Sequence, residues 1–199
     1  MKKSLTVFTI LILLFSAIAC SIHAQYASRG VVEFGGSIAY SSTTVVSNGT
    51  AATQSTSLFN FMPYVSYYLV DGFSVALSPG VNILKLAGSS NSITDLDLFV
   101  VPGYTFSTKS IVYPYIEGML GYTALSSNSN PLGGTAKLDN SGVSFGGKAG
   151  IKLLVGKSGL FSVGVAYTLL NFSPKGATKR SGFNNLALSM GFSVFLDKR

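Results

Sequence analysis

The two residue types that most often supply nucleophiles, bases and zinc ligands occur only once each in this chain. The only thiol belongs to Cys20 and the only imidazole to His23. We expect residues 1–24 to be removed on export, so the mature chain would keep neither group and no His or Cys cluster could hold zinc. Ser and Thr are abundant, but no nucleophile with a base beside it is visible. The sequence therefore predicts no enzyme, no metal site and no cofactor.

Five charged residues share the small-residue face of the predicted strands and could meet inside the protein. A symmetric hairpin across residues 127–141 would place Glu117 opposite about Gly150, with Lys148 and Lys152 diagonal to it and within reach. Because burying such charges unpaired is costly, we expect them to pair. The group would either plug the interior or form a selectivity point in a narrow pore, and we favour the plug. Its members are Glu33, Asp97, Glu117, Lys148 and Lys152.

A second group of charges is basic and falls in the predicted external rim and loops. These residues could pair with the phosphates of lipopolysaccharide, or they could form an ordinary solvated rim. The positive charge is diffuse and no stripe of basic and aromatic residues exists, so we expect no nucleic-acid partner. The group consists of Lys85, Lys137, Lys175, Lys179 and Arg180.

The start of the chain predicts export. Two lysines precede an apolar stretch over residues 5–19, which is typical of a secretory signal peptide. Cleavage after Ala24 would leave a domain over residues 25–199, whereas cleavage before Cys20 would make a lipoprotein. We favour the first, because Ala17 occupies a position where lipoprotein signals usually have a larger aliphatic residue.

The composition favours a membrane protein. Only 11% of the 199 residues are charged and the mean hydropathy is +0.45, whereas a soluble domain has about 25% charged residues. The 14 Phe and 10 Tyr argue against disorder. No stretch after the signal has 18 uninterrupted apolar residues, so no membrane helix is predicted. The remaining way to satisfy the backbone in lipid is a closed β-barrel.

The alternation of apolar and small residues predicts eight strands. Long polar linkers and tight turns follow each other along the chain, which is typical of long external loops and short periplasmic turns. The linkers are residues 43–56, 88–95, 127–141 and 173–182, and the turns lie around 70–72, 108–110 and 157–159. The strands lie near residues 30–42, 57–70, 73–87, 96–108, 111–126, 142–156, 160–172 and 183–196.

The two faces of these strands indicate which side meets lipid. One face carries large apolar residues such as Phe59 and Phe61, and the other is mostly Gly, Ser, Ala and Asn. Small residues suit the crowded interior of an eight-stranded barrel, so the apolar face should point outward. A soluble lipocalin-like barrel would have the reverse arrangement. Matching the faces across two tight turns requires three-residue loops, with Gly72 and Gly159 in left-handed conformations.

One segment adds a family resemblance. Residues 113–122, Tyr-Pro-Tyr-Ile-Glu-Gly-Met-Leu-Gly-Tyr, resemble a strand motif of small porin-family outer-membrane β-barrel domains, and residues 142–172 are similar to the next hairpin of those proteins. The resemblance covers roughly residues 30–196. The junction between Ala24 and Gln25 also resembles export signals common in Bacteroidetes. The chain ends without the terminal aromatic residue usual in such barrels.

The resemblance implies an all-β, eight-stranded antiparallel up-and-down transmembrane β-barrel with the architecture of OmpX and the transmembrane domain of OmpA. It implies an integral place in the outer membrane of a Gram-negative bacterium, with lipid and the barrel-assembly machinery as partners. Function stays open between three possibilities. We favour a structural barrel that presents external loops to lipopolysaccharide or a surface protein. The alternatives are a narrow porin-like channel for small solutes and a soluble lipocalin-like ligand-binding barrel.

Overall fold

The computed structural model describes residues 26–85, 92–108, 110–127, 138–171 and 178–196. They form one closed barrel in which each antiparallel strand pairs with the next and the last pairs with the first. The predicted fold class is confirmed. No helix in these residues is both long and apolar enough to cross a bilayer. The strands are β1 (Val32–Ser47), β2 (Thr50–Val70), β3 (Phe73–Lys85), β4 (Ser92–Thr105), β5 (Val112–Ser127), β6 (Leu138–Val155), β7 (Gly159–Asn171) and β8 (Gly182–Leu196).

The stagger of the strands sets the shape of the barrel. Following ladder partners once around the barrel leads from Phe34 back to β1 at Thr44, a stagger of ten residues. Eight strands with such a stagger tilt by about 40° and leave an interior that side chains can fill. The strands have 13 to 21 residues, and about 9–11 tilted residues cross a bilayer. The barrel can therefore span a membrane and project beyond it.

The outer surface is apolar and the lumen is polar. Large side chains such as Ile38, Leu98 and Phe192 are more than half exposed on the outside. Every charged strand residue whose side chain is described faces the lumen instead. An apolar surface that surrounds the whole molecule matches hydrocarbon, since soluble monomers rarely expose patches above a few hundred Å². This arrangement contradicts the soluble lipocalin-like alternative and confirms the predicted faces.

The tight turns keep the faces of the strands matched, but they differ from the predicted three-residue loops in detail. Val70 pairs with Phe73, so the predicted three-residue loop over residues 70–72 was wrong: only Asp71 and Gly72 join β2 to β3, and a register shift at Leu69 keeps the faces matched. Gly72 has a φ of 80°, as predicted. The prediction for Gly159 was wrong, because Val155 pairs with Gly159 and the left-handed residue is Gly156, with a φ of 68°. The loop is therefore residues 156–158. It still has three residues, so the faces of β6 and β7 match as expected.

The predicted long loop over residues 43–56 was wrong. β1 continues to Ser47 and β2 begins at Thr50, joined only by Asn48 and Gly49 with φ values of 49° and 79°. Positive φ at both residues is the type I′ hairpin turn, for which Asn-Gly is the preferred pair. The Ser and Thr residues suggested a loop by composition, but Thr is β-branched and favours strands.

Candidate functional site

The lumen is the candidate site, and a buried ion pair lies across one end of it. We call the end with the three short turns the lower end and the opposite end the upper end. At the lower end, Lys152 Nζ lies 3.0 and 2.9 Å from the two carboxylate oxygens of Glu33. Both side chains are buried, Glu33 completely. Because Glu33 is in β1 and Lys152 in β6, this contact crosses the lumen between strands that are not neighbours.

Hydroxyl groups complete the environment of this carboxylate. Tyr64 and Ser193 donate to Glu33 Oε1 at 2.6 and 2.7 Å, and Tyr26 donates to Oε2 at 2.9 Å. The Tyr68 hydroxyl donates to that of Tyr26 at 2.7 Å. An ionised carboxylate that accepts this many hydrogen bonds is well stabilised despite its burial. We name Glu33, Lys152, Tyr26, Tyr64, Tyr68 and Ser193 the Glu33 cluster.

Tyr26 enters the cluster from a segment that precedes the first strand. Its ring packs against those of Tyr113 and Phe195, with centroids 5.0 and 5.1 Å apart. The segment is fixed across the lower end by hydrogen bonds from Gly72 N to Ala27 O and from Gly30 N to Tyr68 O. Burial raises the pKa of the Tyr26 hydroxyl well above its ordinary value, so the group stays protonated and continues to donate. The Tyr26 ring thus lies across the lower end of the lumen, beside the ion pair.

Lys148 and Glu117 lie above this cluster and face each other directly. The register pairs Glu117 with Lys148, so the predicted pairing with Gly150 was wrong. Lys148 Nζ lies 5.6 Å from the centre of the Tyr115 ring. Glycine is needed beside it, since a Cβ on Gly164 would lie 2.4 Å from the Tyr115 hydroxyl oxygen. The structure therefore divides the predicted trio: Lys152 binds Glu33, and Lys148 faces Glu117.

A cavity occupies the lumen above the Glu33 cluster. It leaves about 80 Å³ for the centres of water molecules, which is room for several waters. Small and flexible side chains such as Ser37, Ala39 and Met119 line it, together with Glu117 and Lys148.

A polar group lies in the upper half of the lumen. Asn60 donates to Asn82, and Asn82 Nδ2 donates to Asp97 Oδ2 at 2.5 Å. Asp95 is buried beside them, directly opposite Asn82 in the ladder. Asp95 is absent from the predicted lumen group because the predicted strand began at residue 96, although Asp95 shares the parity of Asp97. We name Asn60, Asn82, Asp95 and Asp97 the upper polar group.

The predicted basic group is only partly within the described residues. Lys179 is exposed, and its aliphatic carbons pack over Gly49. Arg180 is half-buried and donates to the carbonyl oxygens of Leu170 and Phe183 at 2.9 Å, so it holds the chain together at the upper end. Lys137, Lys175 and the side chain of Lys85 lie outside the described residues.

The barrel is similar to solved structures of small outer-membrane proteins. Neisserial surface protein A matches with a TM-score of 0.65 and 17% identity over 83% of this chain and 99% of that one. Ail, the attachment invasion locus protein of Yersinia pestis, matches with a TM-score of 0.51 and 13% identity over 84% and 99%. The outer membrane enzyme PagL matches with a TM-score of 0.50 and 16% identity over 79% and 97%. No family model and no curated protein matches the chain.

The chain has the fold of an outer-membrane β-barrel. At these identities the likeness establishes the fold alone, and the architecture that the sequence resemblance implied is confirmed. The apolar exterior agrees with it, and the protein is an integral membrane barrel. The three proteins differ in role, so the fold by itself does not decide what the lumen or the loops do.

Proposed function

We propose that the protein resides in the bacterial outer membrane as a closed barrel that supports an interaction surface at its upper end. The closure of the lower end by the Glu33 cluster carries this proposal, because an open pore would need a continuous path past Tyr26 and the buried ion pair. Neisserial surface protein A and Ail share the fold, and their names refer to the cell surface and to attachment. Lipopolysaccharide or a surface protein is the proposed partner.

Planar-bilayer recording tests the closure. We expect the wild-type barrel to give no steady single-channel conductance. Tyr26→Ala removes the ring that lies across the lower end, and we expect it to give brief small openings. The matched control is Tyr40→Ala, which removes a tyrosine that is 66% exposed on the outer face. Steady ion-selective conductance of the wild type would support the narrow channel in place of a closed barrel.

Lipopolysaccharide binding tests the upper surface. Lys179 is exposed at the upper end and Lys157 at the lower end, so they form a matched pair. We expect Lys179→Gln to weaken binding of detergent-solubilised lipopolysaccharide, and to weaken it further when Lys85, Lys137 and Lys175 are also neutralised. Lys157→Gln should leave the binding unchanged. Equal effects at both ends would mean that the barrel attracts the phosphates only through its net charge.

We also propose that the protein is not an enzyme. PagL shows that this fold can carry catalysis, so the fold does not decide the question. The proposal rests on the sequence, in which the only His lies in the predicted signal peptide. Release of free fatty acid from lipopolysaccharide or phospholipid by the purified protein, lost on substitution of a lumenal or loop residue, would contradict it.

A further inference from the structure

The upper lumen holds two buried carboxylates with no cation beside them among the described residues. Asp95 and Asp97 lie two residues apart on the inward face of β4 and are 2% and 6% exposed. The lumenal lysines lie lower: Lys152 belongs to the Glu33 cluster, and the ladder from Lys148 meets β4 at Gly103, six residues from Asp97. Two carboxylates removed from water at one place can stay ionised only with a counter-charge beside them.

Only some of the oxygens of the upper polar group have donors. Asn60 uses its amide nitrogen toward Asn82, and Asn82 uses its own toward Asp97 Oδ2. Three buried oxygens then have no hydrogen-bond partner: Asn60 Oδ1, Asp95 Oδ1 and Asp97 Oδ1. Asn60 and Asp97 line the cavity. Buried acceptors without donors are uncommon in folded proteins, and a cation or water in the cavity would satisfy them.

We propose that the upper polar group binds a hard divalent cation, with Ca²⁺ as the probe ion. Ca²⁺ takes six to eight oxygen ligands, including carboxylates, Asn carbonyls and water. Asp95 and Asp97 supply two carboxylates whose combined charge balances the ion, and Asn60 supplies an amide oxygen. No group of three His, Cys, Asp or Glu in the described part of the chain is placed to share a metal, so cavity water must complete the shell. Bound there, the ion would tie β2 to β4 and close the upper half of the lumen.

Thermal unfolding of the full protein, purified from outer membranes in uncharged detergent and treated with EDTA, tests this site. The midpoint is measured against CaCl₂, with MgCl₂ and with NaCl at equal ionic strength as comparisons. We expect Ca²⁺ to raise the midpoint of the wild type in a saturable way. Asp97→Asn should weaken the apparent Ca²⁺ affinity at least tenfold, and Asp95→Asn should do the same. Glu117→Gln removes a lumenal carboxylate outside the group and should leave the Ca²⁺ response as in the wild type.

Luminescence of Tb³⁺ excited through tyrosine gives a second measurement that does not depend on stability. Its Ca²⁺-displaceable signal should be present in the wild type and in Glu117→Gln and lost in Asp97→Asn. An equal Ca²⁺ response in Asp97→Asn and in the wild type would place the ion on bound lipopolysaccharide or detergent and overturn the proposal. Absence of any Ca²⁺ effect in both measurements would overturn it as well.

Discussion

Replacing Glu33 by Gln is the substitution that tests the lower closure most directly. The carboxylate accepts from Lys152, Tyr26, Tyr64 and Ser193. A Gln side chain has one acceptor oxygen, and its amide group would point donors at donors. Lys152 would then stay buried without its counter-charge. Removing one partner of a buried ion pair lowers the free energy of unfolding by about 3–5 kcal/mol. We expect a loss in that range because Glu33 is fully buried, and water from the cavity would reduce it.

The reverse substitution, Lys152→Met, should cost less. Glu33 would keep its hydroxyl donors, whereas Lys152 in the Glu33→Gln variant would keep only neutral groups. These are the Gln oxygen and the faces of Tyr26, Tyr64 and Tyr115, whose centres lie 5.4 to 5.9 Å from Nζ. Cation–π contacts of this kind are worth about 0.5–2 kcal/mol. The double variant should be less destabilised than the sum of the two single variants, because it leaves no isolated charge.

Urea unfolding in lipid vesicles, followed by circular dichroism, measures these differences, since the chain has no Trp for fluorescence. Glu117→Gln is the comparison, because it removes a carboxylate that faces Lys148 in the same lumen but is less buried and lies outside the Glu33 cluster, so it should cost less. A cost for Glu33→Gln no larger than the cost of Glu117→Gln would mean that burial adds nothing to the Glu33–Lys152 pair, and the argument for a rigid lower closure would fail.

Three further predictions concern backbone and packing. Tyr26→Phe removes one hydroxyl donor and should destabilise by about 1–3 kcal/mol in the same urea assay, while keeping the lower end closed to ions. Gly164→Ala should lower the free energy of unfolding by about 1–3 kcal/mol or more, because the new methyl group would overlap the Tyr115 hydroxyl. Adding Tyr115→Phe to this variant should recover part of the loss. Gly49→Val should disrupt the hairpin, since the φ of 79° at Gly49 disfavours a β-branched residue. Protease cleavage at residues 47–50 should then become detectable, and an uncut hairpin would contradict this.

The sequence predicted the faces of the strands well because a period of two leaves little freedom. Once Phe59 and Phe61 point outward, each neighbouring residue must point inward, and closure repeats the rule around the barrel. Composition was a poorer guide to strand ends. The Ser and Thr residues around Asn48-Gly49 resembled a loop, yet they continue both strands. The same kind of error removed Asp95 from the predicted lumen.

Contacts across the lumen could not be predicted from parity. Parity shows that Glu33 and Lys152 both point inward, but not at what height, because the ten-residue stagger shifts each strand along the axis. The two residues are 119 positions apart and on strands that share no ladder. The error at Glu117 had a simpler cause, since the assumed centre of the 127–141 connection was wrong and the register moved with it. Tyr26 gave no signal at all, because the segment before β1 has no strand periodicity.

The two ends of the lumen differ in how their buried charge is balanced, and this difference bears on function. At the lower end Glu33 has its counter-charge within the chain, in Lys152, so that closure needs nothing from the surroundings. At the upper end Asp95 and Asp97 have no such partner among the described residues. A barrel whose lower end is closed by its own charges and whose upper end takes a cation would couple the order of its upper strands to the ions outside the cell. Loops carried on those strands would then be held more firmly where divalent ions are abundant.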